Sequence, residues 1–395
     1  GEEWRWVGPG DGAYCAVYDE NSFYVMAQYG YLTLASVNED FDVVEIYDIS
    51  LENDVLQSMS PASRYFRFVA PMVRDPKHKG FLYLATRSDI WFNTSADQEF
   101  GWDTWQRHND TYTPASQGDI SALSASPIVD ARIYYGTNRG RVYQLDGANF
   151  VGAVPEELTG VNFPGANVNC VAPHPTDPDH LMVVFSNYEV PSLFVTTDGG
   201  SSWTDVSGNL EESPNGSGAG PSCRWADMIE RDGQTVYFVG TSTGLYSTNN
   251  LDGANTVWTQ EGENTIGNVV VSMIKIRQSD GFIAVGTHGN GVFTSSVTVP
   301  VEGVPAQPGS FFLAQNYPNP ARTESTLRFH IADRSEFRIT MHDQLGREIA
   351  TLVEGNRQPG VYTERIALPE VAPGNYFIRM SAGTFAQTRM MTVVR

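Results

Sequence analysis

Apolar and polar residues alternate in short runs along the chain, and glycines punctuate the runs. Three stretches share one phrase: YYGTNRGRVY at 134–143, YFVGTSTGLY at 237–246 and IAVGTHGNGVF at 283–293. Each reads as an apolar strand, a Gly-Thr turn, a glycine and a second apolar strand. That is a β-hairpin with glycine supplying the turn geometry. Weaker copies stand at 24–34, 82–92 and 182–195. Most hairpins are preceded by an apolar stretch and a polar turn, as in FVAPMVRDPKHKG (68–80) and NCVAPHPTDPDH (169–180). Most are followed by a Trp-bearing segment: DTWQRHND (103–110), SSWTDVSG (201–208) and TVWTQEGE (256–263).

The repeating unit is therefore strand, turn, strand, Gly turn, strand, loop, strand. Four antiparallel strands in units of roughly 45–55 residues predict a β-propeller. One such sheet cannot bury both its faces alone, so sheets stack radially around a channel. The units fall at 13–47, 66–108, 117–160, 166–208, 222–263 and 268–296, which predicts six blades. The sixth lacks its Trp strand, and EEWRWVG at 2–8 has the look of the missing piece, with Trp4 or Trp6 in a closing strand. Pairing the first strand into the last blade would hide a sheet edge. The alternative is that EEWRWVG ends a blade whose first strands precede this sequence.

The best-preserved turn is TTDGGSSW at 196–203. Thr196, Asp198, Gly200, Ser202 and Trp203 fill the pattern Ser/Thr-x-Asp-x-Gly-x-Ser/Thr-Trp, which resembles the Asp-box, or bacterial neuraminidase repeat. Asp accepts bonds from nearby backbone amides and Gly permits positive φ. Degenerate versions stand at 144–149 and 247–258. The families that carry the box include sialidases, xyloglucan hydrolases and sortilin-type receptors. The resemblance implies a structural turn, not catalysis.

After residue 298 the composition changes. VPVEGVPAQPGS (299–310) is rich in Pro and Gly and reads as a linker between a propeller over 1–298 and a second domain over 311–395. The second domain shows about seven short alternating strands with Gly/Pro turns, an immunoglobulin-like β-sandwich pattern. Asn316, Tyr317, Pro318, Asn319 and Pro320 spell NYPNP, preceded by Leu313 and Gln315. Further on come Gly346-Arg347, the segment Gly374-Asn375-Tyr376 and a basic end, TRMMTVVR. Together these resemble the C-terminal sorting domain of proteins exported by the type IX (Por) secretion system of Bacteroidetes-like bacteria. Ala321-Arg322 departs from the family's Phe-Asn after NYPNP. The resemblance implies an export address, often removed at the cell surface, whose NYPNP, Gly-Arg and Gly-Asn-Tyr residues are recognised by the secretion machinery.

Composition and charge narrow the classes. The 395 residues are 41% hydrophobic and 12% aromatic, with 37 Gly and 22 Pro, a globular, loop-rich β composition. No apolar run approaches the roughly 18 residues of a membrane span. With 25 basic against 46 acidic residues the net charge is -21, which disfavours nucleic acid and anionic lipid as partners. Cys15, Cys170 and Cys223 fit no metal-ligand spacing and no disulfide framework; no metal and no cofactor are expected. Cys170 and Cys223 occupy comparable inner strands and read as buried thiols, with a disulfide as the alternative. GEEWRW is not a signal peptide: either one was removed or the chain is a piece of something longer.

Tempting chemistry has plainer readings. Gly240 to Gly244 (GTSTG) matches a nucleophile elbow, but GTNRG and GTHGN hold the same repeat position without Ser, and a strand follows. His174 and His180, in PHPTDPDH, read as turn residues, as does His288. Arg67, Arg132 and Arg224 are candidates for a sialidase-type triad without a supporting motif. The starts of the innermost strands, near Tyr14, Arg67, Asp119, Asn167, Arg224 and Asn268, are the candidate channel-face ligand contacts. Tyr29, Tyr31, Trp91 and Trp102 could stack on sugars but fit inter-blade packing better. The expectation is a secreted or surface-displayed, non-enzymatic platform for binding or assembly, with no catalytic residues. Its partners would be the secretion machinery, a glycan or protein ligand on the propeller face, and further copies of itself. The alternative is an extracellular glycoside hydrolase or other polysaccharide-acting enzyme, which would need a cleft with paired carboxylates.

Overall fold

The computed structural model describes residues 12–40, 42–51, 65–98, 104–231, 233–297, 311–313, 316, 319, 321–383 and 385–394. The fold is all-β: among these residues the named helical elements are short 3-10 turns at Gln28–Gly30, Gly208–Leu210 and Gly253–Asn255. Six antiparallel sheets follow one another along the chain, each a meander of sequence neighbours, the blade pattern of a β-propeller.

The first sheet is β1 (Gly12–Val17), β2 (Ser22–Ala27), β3 (Leu32–Val37) and β4 (Val43–Asp48). The second is β5 (Met72–Arg74), β6 (Leu82–Ala85), β7 (Ile90–Asn93) and β8 (Gln106–Arg107). The third is β9 (Ile120–Ala125), β10 (Ile133–Thr137), β11 (Val142–Leu145) and β12 (Glu156–Glu157). The fourth is β13 (Val168–Pro173), β14 (Leu181–Phe185), β15 (Leu193–Thr196) and β16 (Thr204–Asp205). The fifth is β17 (Cys223–Arg231), β18 (Gln234–Thr241), β19 (Gly244–Thr248) and β20 (Thr259–Glu261). The sixth shows three strands among the described residues: β21 (Val271–Ile276), β22 (Phe282–Thr287) and β23 (Val292–Ser296). The expected closing segment, residues 2–8, lies outside the described residues.

The chain divides into two compact units. The first is Gly1–Asn187 with Leu193–Thr204 and Arg224–Met228; the second is Tyr188–Ser192, Asp205–Cys223 and Ile229–Arg395. The last sheets and the C-terminal domain thus belong to one unit, an organisation the linker composition does not announce.

In the first unit, strands bury both faces. On β6, Leu82 and Leu84 join a core with Tyr24, Met26, Leu32 and Leu34 of the first sheet. Tyr83 and Ala85 point the other way, into a core with Ile133, Tyr135 and Leu145 of the third. Two buried faces explain why LYLA is apolar throughout instead of alternating.

The repeated Gly-Thr phrase has a local physical cause. A Cβ on Gly136 would lie 2.3 Å from Val168 Cγ1, at the start of the next sheet's first strand. In the second unit, a Cβ on Gly240 would lie 2.6 Å from Val271 Cγ1, again the first residue of the following sheet. Glycine here lets neighbouring sheets approach. The threonine beside it ties the turn: Thr137 Oγ1 accepts the amides of Arg139 and Arg141, and Thr241 Oγ1 donates to Gly244 O at 3.0 Å.

The tryptophans carry a second recurring contact. Trp105 Nε1 donates to Ile49 O at 2.8 Å, and Trp203 Nε1 to Leu158 O at 2.8 Å. In the second unit Trp258 Nε1 donates to Val206 O at 2.9 Å. Each acceptor is the carbonyl just past the last strand of the preceding sheet, so the indole satisfies a backbone group the ladder has left open.

The second unit also holds a two-sheet body. One sheet orders β24 (Phe312–Leu313), β25 (Glu324–Ile331) and β28 (Gly360–Ala367); the other orders β27 (Glu348–Arg357), β26 (Ser335–His342), β29 (Gly374–Ala382) and β30 (Phe385–Val393). Leu327, Phe329 and Ile331 from the first meet Phe337, Ile339, Met341, Ile378 and Met380 from the second in one core. Both sets recur every second residue, as a sandwich with one wet face requires.

Gly136→Val should therefore destabilise the protein by roughly 1–3 kcal/mol through overpacking. Gly286→Ala, whose Cβ meets nothing nearer than 3.7 Å, should cost less than about 1 kcal/mol. Denaturant midpoints of the two variants decide the matter, and equal shifts would contradict the close-approach role of Gly136.

Candidate functional site

The inner ends of the first unit's sheets bring several of the expected contacts together. Arg87, on the turn between β6 and β7, places Nη1 at 2.5 Å from Asp119 Oδ2. Asp119 also acts on Arg67, whose pKa burial lowers, Asp119 raises and Arg87 lowers again. Arg67 in turn acts on Tyr14 of β1. The ring of Tyr14 keeps part of its surface exposed, but the atoms crowded around its hydroxyl push its pKa up to about 12. The Cys170 thiol of β13 adds to that rise and Arg67 opposes it. Cys170 Sγ lies 3.5 Å from Ala226 O on β17, and Asn169 Nδ2 donates to Arg224 O on the same strand. Asn167 is held by its own sheet, with its amide on Asn187 Oδ1 at 2.7 Å and Nδ2 on Ser186 Oγ at 3.1 Å.

Tyr14, Arg67, Asp119, Asn167 and Arg224 thus lie along one connected series of inner-strand contacts. Two groups in the series have donors left over. Arg67 Nη1 and Arg224 Nε are buried without a hydrogen-bond partner among the described residues. A buried unpaired guanidinium nitrogen is costly, and an acidic acceptor relieves it. Asn268, in the second unit, accepts instead from Gln260 Nε2 at 2.9 Å. Arg132 does not join Arg67 and Arg224: it forms an ion pair with Asp146. A three-arginine reading of these residues is corrected accordingly.

The turn at 196–203 consumes its own polar groups. Thr196 Oγ1 donates to Asp198 Oδ1 at 2.7 Å and accepts the Gly200 amide at 3.0 Å. Ser202 gives Asp198 both its hydroxyl, at 2.6 Å, and its amide, at 2.9 Å. These bonds, the Ser202 hydroxyl foremost and Thr196 next, hold the Asp198 carboxyl down at about 2. Gly199 and Gly200 take φ of +69° and +93°, the left-handed region. Of the degenerate versions, Asp146 is taken by Arg132 and Gln144.

The other motifs resolve plainly. Thr241 ends β18 and Gly244 begins β19, so GTSTG is a hairpin turn with no helix behind it. His174 Nδ1 accepts the amides of Thr176 and Asp177, and His174 stacks on His180 at 4.6 Å. Burial, with His174 second, lowers His180 to about 4. Cys170 and Cys223 are buried thiols and Cys15 is exposed. Tyr29 stacks edge-on against Phe68 at 5.3 Å and Trp91 packs against the first core; Trp102 lies outside the described residues. Tyr31 remains exposed.

In the C-terminal body, Asn316 is buried and donates to Ser325 Oγ at 2.9 Å. Asn319 clasps β30, donating to Met390 O at 3.0 Å and accepting the Thr392 amide at 2.8 Å. Tyr317, Pro318 and Pro320 lie outside the described residues. Gly346, at φ +79°, and Arg347 form the β26–β27 turn, where Asp343 accepts the amides of Leu345 and Arg347. Asn375 Oδ1 accepts from Thr392 Oγ1 at 2.9 Å, and the Tyr376 hydroxyl donates to Ala372 O at 2.8 Å.

One acid went unnoticed in the sequence. Glu211 accepts the Ser192 hydroxyl at 2.5 Å and lines a cavity of about 340 Å³ with Asp205 and Glu212. Burial raises its pKa to about 7, with Asp205 adding and Ser192 opposing. The same burial pushes the Cys223 thiol upward. Because the folded state favours protonated Glu211, its contribution is complete below the ordinary glutamate pKa and is lost as pH rises to about 7. Glu211→Gln should therefore gain on the wild type between pH 5 and pH 8, by on the order of 2 kcal/mol. Melting curves at the two pH values test this, and a pH-independent difference would contradict it.

Residues 315–394 match the secretion system C-terminal sorting domain family, Por_Secre_tail. No curated protein matches the chain. Among solved structures, the chain is similar to one described as YCF48 bound to D1 peptide, with 9% identity, a TM-score of 0.44, and coverage of 73% of this chain and 78% of that one. It is also similar to one described as dihydro-heme d1 dehydrogenase NirN in complex with DHE, with 12% identity, a TM-score of 0.42, and coverage of 91% and 68%. The C-terminal residues are thus a sorting domain of the secretion-system family, and the chain is a secreted or cell-surface protein.

Proposed function

We propose that this protein is a non-enzymatic binding platform carried outside the cell by the type IX secretion system. A propeller module over 1–298 would present the ligand site, 299–310 would join it to the tail, and a sorting domain over 311–395 would direct export. The ligand site is the inner-strand series of Tyr14, Arg67, Asp119, Asn167 and Arg224. The observation that carries this reading is the pair of buried donors, Arg67 Nη1 and Arg224 Nε, that lack acceptors. Arg87 already neutralises Asp119, so the two remaining guanidinium groups favour an acidic ligand. A carboxylate on a surface glycan or protein has the matching chemistry. The chain's net charge of -21 makes such a cationic centre selective, since most of the surface repels anions.

A hydrolase reading has one observation of its own. Glu211 is an acid raised to about 7 beside a cavity, the protonation state a general acid needs. Its bond to Ser192 and its neighbour Cys223 favour a structural role.

The two readings separate in one pair of assays. On an array of uronate-bearing and neutral oligosaccharides, the platform reading expects retention of the acidic set. It expects Arg67→Gln or Arg224→Gln to weaken that binding by about 10–100-fold. Uniform failure to retain acidic ligands would refute it. Glycan cleavage abolished by Glu211→Gln would establish the hydrolase instead.

A further inference from the structure

Within the second unit, two arginines of the sorting domain reach the end of the fifth sheet. Arg389, on β30, has partners for all three guanidinium nitrogens. Nε donates to Leu313 O at 2.9 Å, Nη2 lies 2.6 Å from Glu263 Oε2, and Nη1 lies 3.5 Å from Asn264 Oδ1. The side chains of Arg389 and Glu263 are only 14% and 20% exposed. Arg328, on β25, donates through Nη1 to Thr259 Oγ1 on β20. Burial lowers the pKa of Arg328, and Glu261 of the same strand draws on its charge.

Glu263 is presented by a rigid turn. The amides of Thr265, Ile266 and Gly267 all donate to Gly262 O, at 2.9, 2.7 and 3.1 Å. Exposed ion pairs hold little, because water and side-chain entropy offset them. A shielded pair on a fixed turn differs: removing one partner leaves a desolvated charge alone. The apolar core of the sorting domain is drawn entirely from residues 313–393. Among the described residues, the contacts of Arg389 and Arg328 with the fifth sheet are polar.

The geometry points to a latch: residues 259–264 of the fifth sheet are a docking surface for the chain's own sorting domain, closed by Arg389 on Glu263 and braced by Arg328 on Thr259. The occupant follows from charge, since arginines of the tail meet Glu261 and Glu263 of a strongly acidic chain. Arg389 stands in the final strand of the segment matched over 315–394. Docking thus covers a face of the export signal, and the secretion machinery meets that face when the latch is open. This inference uses the sorting-domain match and is independent of the acidic-ligand reading.

The test keeps the full chain and places a specific protease site within 299–310. After cleavage, size-exclusion chromatography at low salt should show the two wild-type fragments eluting together. Glu263→Arg and Arg389→Glu should each raise the free tail fragment about tenfold, since each leaves a charge opposed. The double variant, Glu263→Arg with Arg389→Glu, should restore co-elution. Circular dichroism of the separated fragments shows whether they remain folded. Release of a folded tail from the cleaved wild type, or equal retention in both single variants, would overturn the latch. If the single variants do not fold, the double variant decides alone: co-elution supports the latch and release overturns it.

Discussion

A four-stranded sheet that is apolar on both faces has no stable existence by itself, and the architecture answers that constraint repeatedly. On β6, Leu82 and Leu84 require a neighbour on one side and Tyr83 and Ala85 on the other. Close stacking then imposes its own demands. Wherever a following sheet begins with valine, as at Val168 and Val271, the preceding hairpin needs a residue without a side chain, and Gly136 and Gly240 supply it. Stacking also leaves carbonyls beyond the outermost strands. The indole groups of Trp105, Trp203 and Trp258 occupy the places where those carbonyls need donors. Repetition in the sequence is thus repetition of one packing problem.

The polar groups divide into those that are satisfied and those that are not. Asp198 spends its carboxylate on Thr196 and Ser202, which explains its low pKa. Asn319 and Asn375 tie the ends of the sorting domain to β30 and so hold the domain together. Against that background the unpaired nitrogens of Arg67 and Arg224 stand apart. They sit beside the inner ends of the first unit's sheets, near Asp119 and Asn169.

Much of this was legible in the sequence, for a reason that distance along the chain makes clear. The Gly-Thr turns, the 196–203 box and the Gly346-Arg347 turn satisfy themselves within a few residues, so their patterns survive in a single sequence. The tail motifs are legible as a family pattern, with which the match to 315–394 agrees, although Asn319 finds its partners on β30, 71 and 73 residues away. Partners brought together by the fold left no such trace. Arg87 and Asp119 are 32 residues apart, Ser192 and Glu211 are 19 apart, and Arg389 and Asn264 are 125 apart. Nothing local marks Glu211 for burial, because its raised pKa comes from the atoms packed around it. The residues of the first strands could be ranked by position but not by which of their donors would remain unpaired.

The central claim is that the first unit's sheets are held by mutual burial of both faces. Native-state hydrogen exchange on the full chain addresses it most directly. Amides of the doubly buried strands β6, β10 and β14 should exchange only through a shared, large-scale opening and so report one common free energy. If β10 instead exchanged orders of magnitude faster than β6 while the rest of the chain stayed protected, the sheets would be independent of one another and the account would be wrong.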